Sequence, residues 1–263
     1  MRRSLTAAAR AAPINRFKVL GVRVDAVQIP DVVARMEYWI QREAQGHFIA
    51  VTGMHGVTEA QHDNEFKTIL NSAHLVVPDG MPLVWLGSHA GFPLKRRVYG
   101  PELMETFCRE TRARYKHFFY GGASGVPEQL AGMLRRRYDI QIAGTYSPPF
   151  RPLTQEEEKQ ITSLIMESGA DVLWVGLSTP KQERWMHQYC RRLNVPVLAG
   201  VGAAFDLVTR RVKQAPAWMQ ENGLEWLFRL SQEPKRLWRR YLVYGSEFAW
   251  NVTLELSRVK KFD

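Results

Sequence analysis

Several stretches of the chain combine residue types at spacings suited to chemistry. Asp79 stands in Val77-Pro78-Asp79-Gly80-Met81-Pro82. A carboxylate held by short, rigid neighbours suits a general base that takes a proton from a hydroxyl. An acid between Pro and Gly is usually turn chemistry. Gly121-Gly122-Ala123-Ser124-Gly125 leads into a helical pattern. Glycines admit a phosphate to the backbone, and a helix start offers free N–H groups; the other reading is a tight strand-to-helix turn. The full dinucleotide fingerprint is absent, as is an acid at the usual ribose offset. No GK[ST] occurs, which excludes a P-loop.

Gly176-Leu177-Ser178-Thr179-Pro180-Lys181-Gln182-Glu183 has the spacing of a helix start, with Thr179 as cap, Pro180 first and Gln182 three beyond. Gln182 then completes a capping box, or it stands with Lys181 on a first turn facing a ligand. Arg97 closes the basic run Lys95-Arg96-Arg97. It belongs either to a solvated face or to a diphosphate, whose geometry suits the guanidinium fork. Gly200-Val201-Gly202-Ala203-Ala204-Phe205-Asp206 is a small-residue run that permits close approach of a nucleotide. Asp206 is suited to ribose hydroxyls or to a helix N-terminus. Phe150, after Pro148-Pro149, reads as loop packing or as a surface on which a base stacks.

These residues need a frame, and the sequence alternates to supply one. Strands are expected over 17–24, 47–52, 74–77, 117–120, 140–145, 171–175 and 195–200. Helices are expected over 30–45, 57–71, 101–115, 126–138, 154–168 and 180–193. Short, continuously apolar strands between amphipathic helices predict a parallel sheet covered on both faces, an α/β fold of the doubly wound kind. Ligands in such sheets sit beyond the carboxyl ends of the strands, and the loops quoted above come after strands. After about residue 212 alternation stops, and four of the eight tryptophans fall in this helical tail. The expected organisation is a flexible basic tail over 1–16, the α/β core over 17–212 and a helical appendage over 213–263.

The 263 residues suffice for a substantial core. Hydrophobic residues at 45% exclude a disordered chain. A net charge of +10 favours an anionic partner without choosing nucleotide, phospholipid or nucleic acid. Cys108 and Cys190 are the only cysteines, too few for a thiolate zinc cage, and are read as reduced and cytosolic. No run of eighteen apolar residues occurs. Arg10 interrupts the apolar part of the N-terminal stretch, which is not read as a signal peptide. Over 234–243, a helical wheel puts Leu237, Trp238, Tyr241 and Leu242 on one side. It puts Lys235, Arg236, Arg239 and Arg240 on the other, as in a helix lying on an anionic membrane or packing on a core.

Taken together, VVPDGMPLVWL, RRVYGPEL, YGGASGVPE, VGLSTPKQERWM, GVGAAFDLVTRRVKQAPAWM and GLEWLFRLSQEPKRLWRRYL resemble the WecG/TagA/CpsF glycosyltransferases, family 26, over about 17–243. The resemblance implies a Rossmann-like core with a C-terminal helical appendage. It implies transfer of N-acetylmannosamine, or a related hexosamine or hexuronic acid, from a UDP-sugar to a polyprenyl-diphosphate-linked sugar. The reaction would serve cell-surface polysaccharide or teichoic acid synthesis at the cytoplasmic membrane face, without a metal or other cofactor. The protein would then be cytoplasmic and peripherally membrane-associated, with no nucleic-acid partner and homo-oligomerisation left open.

By the same resemblance, Asp79 is the base of an inverting single displacement, Thr52 an active-site threonine and Arg97 the diphosphate arginine. Gln182 is the PKQE glutamine, Asp206 lies on the nucleotide side and Phe150 is near the base. Gly121, Gly122, Gly125, Lys181 and Gly202 are expected to contact substrate or nucleotide. Arg229, Arg236 and Arg239 are appendage arginines. One departure falls at Thr52-Gly53-Met54-His55, where Met54 replaces an asparagine frequent in the family and offers neither donor nor acceptor; His55 is the candidate replacement. A Rossmann-like oxidoreductase and a basic nucleic-acid-binding protein are the rival readings. The first lacks its fingerprint; the second requires binding that weakens steeply with salt.

Overall fold

The computed structural model describes residues 13–43 and 46–262. Nearly all of the N-terminal tail and the last residues expected in the helix over 30–45 lie outside them. The chain divides into two compact units, one of Ile29–Ala50 and Gly100–Val212, the other of Ile14–Gln28, Val51–Tyr99 and Lys213–Asp263.

In the first unit, β3 (His47–Thr52), β5 (Lys116–Gly121), β6 (Gln141–Tyr146), β7 (Val172–Gly176) and β8 (Val197–Gly200) are the strands. β3 passes into the second unit at its last two residues. The pairings β3–β8, β8–β7, β7–β5 and β5–β6 are all parallel. With β4 (Leu75–Pro78), the strands take the order β4-β3-β8-β7-β5-β6, a six-stranded sheet. The helices are α1 (Ile29–Arg42), α5 (Gly100–Thr111), α6 (Val126–Tyr138), α7 (Gln155–Glu167), α8 (Lys181–Tyr189) and α9 (Ala204–Val208). The Rossmann-like α/β expectation is met.

The alternation is a consequence of burial. β5 is buried from His117 onward and β7 over Val172–Val175, so apart from His117 the side chains there are apolar or aromatic on both faces. Helix α1 turns Val32, Val33, Met36 and Trp39 inward at helical spacing. His117 is sealed in this core, where its Nδ1 accepts a 3.0 Å bond from the Trp174 indole; burial lowers its pKa to about 4. Cys108 and Cys190 are free thiols, both buried.

The second unit opens with a hairpin where the apolar pattern predicts a single strand. Residues 17–24 belong to an antiparallel pair, β1 (Arg16–Val19) and β2 (Val22–Asp25). Leu20 and Gly21 both have positive φ, 51° and 77°, which turns the chain back as a two-residue hairpin loop does. Asp25 pairs with Arg16 at 2.6 Å and accepts the Val76 N–H at 2.7 Å, tying the hairpin to β4.

The expected helix over 57–71 is two, α2 (Met54–His62) and α3 (Asn64–Asn71). Asp63 breaks it, its carboxylate accepting the Phe66 N–H at 2.8 Å as an N-cap. Helix α4 (Met81–His89) was not expected; it begins directly after Asp79-Gly80, with Pro82, whose fixed φ suits a first turn, near its start. The tail is helical, as expected: α10 (Ala217–Glu221), α11 (Glu225–Gln232), α12 (Pro234–Trp238), a π turn over Arg239–Val243 and α13 (Tyr244–Leu256). Glu255 on α13 accepts the Leu20 N–H at 3.1 Å, and Tyr244 stacks on His55 and His62. Among the described residues no helix is long and apolar enough to cross a membrane.

Candidate active site

In the second unit a cavity of roughly 560 Å³ opens between β4, α2, α4 and the tail. Asp79 lies on its wall at the end of β4. The turn holds it closely: the Asp79 N–H donates to the Thr52 carbonyl at 2.7 Å, and a Cβ on Gly53 would stand 2.3 Å from the Asp79 carbonyl oxygen. Only glycine allows β3 and the Asp79 turn to run so close. The Thr52 hydroxyl is buried beside this contact. Neither it nor Asp79 Oδ1 has a hydrogen-bond partner among the described residues.

Burial raises the Asp79 carboxyl to about 6. Arg97 opposes that rise, Glu225 adds to it, and Arg240 and Arg229 oppose it more weakly. A carboxylate with an unpaired oxygen and a proton affinity near neutrality has the properties of a general base.

Arg97 is held on three sides. Its Nη2 donates to Glu225 Oε2 and, at 3.3 Å, to Gln220 Oε1. Its guanidinium carbon lies 4.0 Å from the centroid of the Tyr99 ring. The Tyr99 hydroxyl donates to Glu225 Oε1 at 3.1 Å. Burial, then the Glu225 charge, push the Tyr99 phenol upward. Arg229 and Arg240 line the same cavity, each with a buried Nε that lacks a partner among the described residues. His55 also lines it; burial and then the Arg240 charge lower its pKa to about 3, so the ring is neutral. Met81, Trp85, Trp226 and Leu242 supply an apolar wall. Two guanidinium groups, each with an unpartnered Nε among the described residues, beside an apolar wall suit an amphiphilic anion.

In the first unit, the carboxyl ends of β5, β7 and β8 lie side by side, with Gly121 opposite Gly176 and Val175 opposite Gly200. Gly121 has φ 127°, and a Cβ there would meet the Gly176 carbonyl at 2.5 Å. Gln182 is 1% exposed on the first turn of α8. Its Oε1 accepts the Gly202 N–H at 3.0 Å, and its Nε2 donates to Glu183 at 3.0 Å.

The expected capping box is not formed. Pro180 occupies the cap position without a side-chain cap, and the Thr179 hydroxyl donates to Glu183 Oε1 at 2.8 Å. A buried carboxylate is the stronger acceptor for that hydroxyl. Gln182 thereby ties α8 to the loop after β8.

Gly122 and Gly125 have positive φ at the turn before α6, and Gly125 precedes its first residue. Asp206 lies in the first turn of α9, partly exposed, 3.8 Å from Arg211. Lys181 is exposed on α8, and Phe150 is 92% exposed.

The structure thus gathers Asp79, Arg97 and Arg229 on one cavity, with Thr52 against the Asp79 turn, and joins Gln182 to Gly202. It leaves Arg236 in an exposed pair with Glu233 at 2.5 Å and Arg239 exposed, both outside the cavity lining. Arg240 faces the cavity instead. The wheel groups Arg240 with Arg236 and Arg239; the structure separates it from them, within a π turn over Arg239–Val243 that departs from 100° per residue. The same turn sets Tyr241 and Leu242 in the lining alongside Arg240, whereas Trp238, from the expected apolar side, is 52% exposed. Tyr99 and Glu225 were also missed; an acid between Leu224 and Trp226 was the available signal.

Known proteins share this sequence pattern. A family model described as Glycosyl transferase WecG/TagA/CpsF family matches residues 17–261. A protein of Bacillus spizizenii (strain ATCC 23059 / NRRL B-14472 / W23) is 30% identical over 232 residues, 88% of this chain and 86% of that protein. One of Bacillus subtilis (strain 168) is 28% identical over 202 residues, 76% of each. Both are named N-acetylglucosaminyldiphosphoundecaprenol N-acetyl-β-D-mannosaminyltransferase. With a match across nearly its whole length, the chain belongs to the WecG/TagA/CpsF family of glycosyl transferases.

Proposed function

We propose that this protein transfers a hexosamine-type sugar, N-acetylmannosamine-like or a hexuronic acid, from a UDP-sugar to a polyprenyl-diphosphate-linked sugar. The observation that carries the reading is Asp79: half-buried, its carboxyl raised to about 6, with a sealed and unpaired Oδ1, on a cavity that also holds the unpaired Nε groups of Arg229 and Arg240. The acceptor hydroxyl gives its proton to Asp79 as its oxygen bonds to the anomeric carbon. The bond from that carbon to the diphosphate oxygen breaks, and UDP departs with the electron pair. A single displacement inverts the anomeric centre, so a donor α-linked to its diphosphate yields a β-linked product. The names of the two Bacillus relatives include a β-D-mannosaminyl group and a diphosphoundecaprenol acceptor, consistent with this direction.

Arginines beside developing phosphate charge stabilise it where it forms. The strand-end glycines and the Gln182-tied loop suit the nucleotide. No metal is needed, because guanidinium groups and backbone N–H groups meet the diphosphate charge. The enzyme would work at the inner face of the cytoplasmic membrane, where the acceptor resides.

The test is mass spectrometry of lipid after incubation of the protein with polyprenyl-diphosphate N-acetylglucosamine and a panel of UDP-hexosamines and UDP-hexuronic acids. The expected result is gain of one sugar with release of UDP, unchanged by EDTA. A lipid that gains no sugar from any UDP donor contradicts the reading.

A further inference from the structure

We propose that Glu225 is a positioning residue that holds Arg97 against Tyr99 and so leaves the Asp79 carboxylate free to accept the acceptor's proton. The inference rests on the reading of Asp79 as base. Glu225 is 7% exposed at the start of α11. Both of its oxygens are engaged, Oε2 by Arg97 and Oε1 by the Tyr99 hydroxyl. Arg97 is fixed over the Tyr99 ring and braced by Gln220. The alternative partner for that guanidinium is Asp79, whose Oδ1 is unpaired and whose charge already acts on Arg97.

A direct Arg–Asp pair lowers a carboxyl by about 1–3 pKa units and occupies the lone pairs that a base needs. Glu225 competes for the guanidinium and adds its own negative charge to the cavity. Arg229 lies one turn further along α11 and lines the same cavity. One helix therefore brings both the clamp on Arg97 and a second guanidinium whose Nε has no partner among the described residues.

The charged and titratable groups that act on Asp79 or line its cavity come from several elements: Arg97 and Tyr99 from the loop after α4, Glu225 and Arg229 from α11, Arg240 from the π turn, and neutral His55 from α2, which lines the cavity. Of these, only Glu225 is a second carboxylate. Its removal therefore lowers the proton affinity of Asp79, both by losing that charge and by releasing Arg97.

The experiment is the pH profile of kcat/KM for transfer to polyprenyl-diphosphate N-acetylglucosamine, for the wild type, Glu225→Gln, Glu225→Gln/Arg97→Gln and Asp79→Asn. Asp79 works when ionised, so activity falls as pH drops through its pKa, with an acid limb near 6 in the wild type. Glu225→Gln is expected to move that limb to lower pH and to lower the plateau by about tenfold, the weaker base being the poorer catalyst. The double variant replaces the buried charge pair with a neutral one and keeps the test open if the single variant does not fold. It is expected to return the limb to 6 or above, because the opposing Arg97 charge is gone.

An unmoved limb in Glu225→Gln, whatever its plateau, overturns the proposal, as does a double variant whose limb lies below the wild type's. If Asp79→Asn keeps both rate and limb, the base reading itself fails. If it loses both while Glu225→Gln leaves the limb in place, only the positioning role falls.

Discussion

A side chain in this protein is read by what its polar atoms lack as much as by what they touch. Half-buried Asp79 keeps its sealed Oδ1 unpaired, and Arg229 and Arg240 keep an Nε unpaired beside the same cavity, among the described residues. A buried polar atom without a partner costs about 1–3 kcal/mol, so such a cluster marks a place where a ligand would complete the bonding. Gln182 is the opposite case, with both amide atoms engaged. Gln182→Asn retracts the amide by one methylene and strands the Gly202 N–H. Differential scanning calorimetry is expected to show a loss of about 1–3 kcal/mol. Calorimetric titration with UDP is expected to show weaker binding once the loop after β8 is released. Unchanged UDP affinity at a lowered melting temperature would make Gln182 a purely structural tie.

At the scale of elements, the sequence was most legible where burial is two-sided. β5, β7 and β8 read as apolar runs because both faces are covered, and their ends placed the glycines and Gln182 correctly beside strand termini. The hairpin at Leu20-Gly21 was missed because leucine is a poor signal for positive φ, although Gly21 beside it was visible. Helix α4 was missed because the Pro-Asp-Gly signature reads as a stop, while Pro82 in fact starts a helix. The π turn was invisible for a different reason. Sequence periodicity assumes a constant angle per residue, and a single π turn resets the phase without any marker residue.

That reset is testable. Arg240→Ala is expected to lower kcat/KM for the lipid acceptor by roughly 10-fold or more, a loss on the scale of a charge-assisted hydrogen bond. The loss at Arg239→Ala, an exposed site, is expected to be smaller. The reverse ranking in steady-state kinetics would show that the helical phase of the wheel, not the π turn, governs which arginine meets the substrate.

At the scale of the whole molecule, the net charge of +10 finds two outlets. Some cations line the cavity, and others, including Lys235, Arg236 and Arg239, are exposed near Trp238. Each basic side chain near an anionic bilayer contributes about 1 kcal/mol, and an exposed indole suits the interface. The double substitution Trp238→Ser with Lys235→Glu is expected to lower co-sedimentation with phosphatidylglycerol-containing vesicles several-fold while UDP binding stays within twofold. Sedimentation equal to the wild type would remove this stretch from the membrane contact.

The central claim is that one carboxylate takes the proton in glycosyl transfer, and a single pair of measurements on Asp79→Asn tests it most directly. UDP affinity by calorimetry is expected within a few-fold of wild type, because the turn survives. The turnover number for transfer from a UDP-hexosamine to polyprenyl-diphosphate N-acetylglucosamine is expected to fall by about 10²-fold or more. Turnover within a few-fold of wild type would contradict the account and leave Asp79 a turn residue.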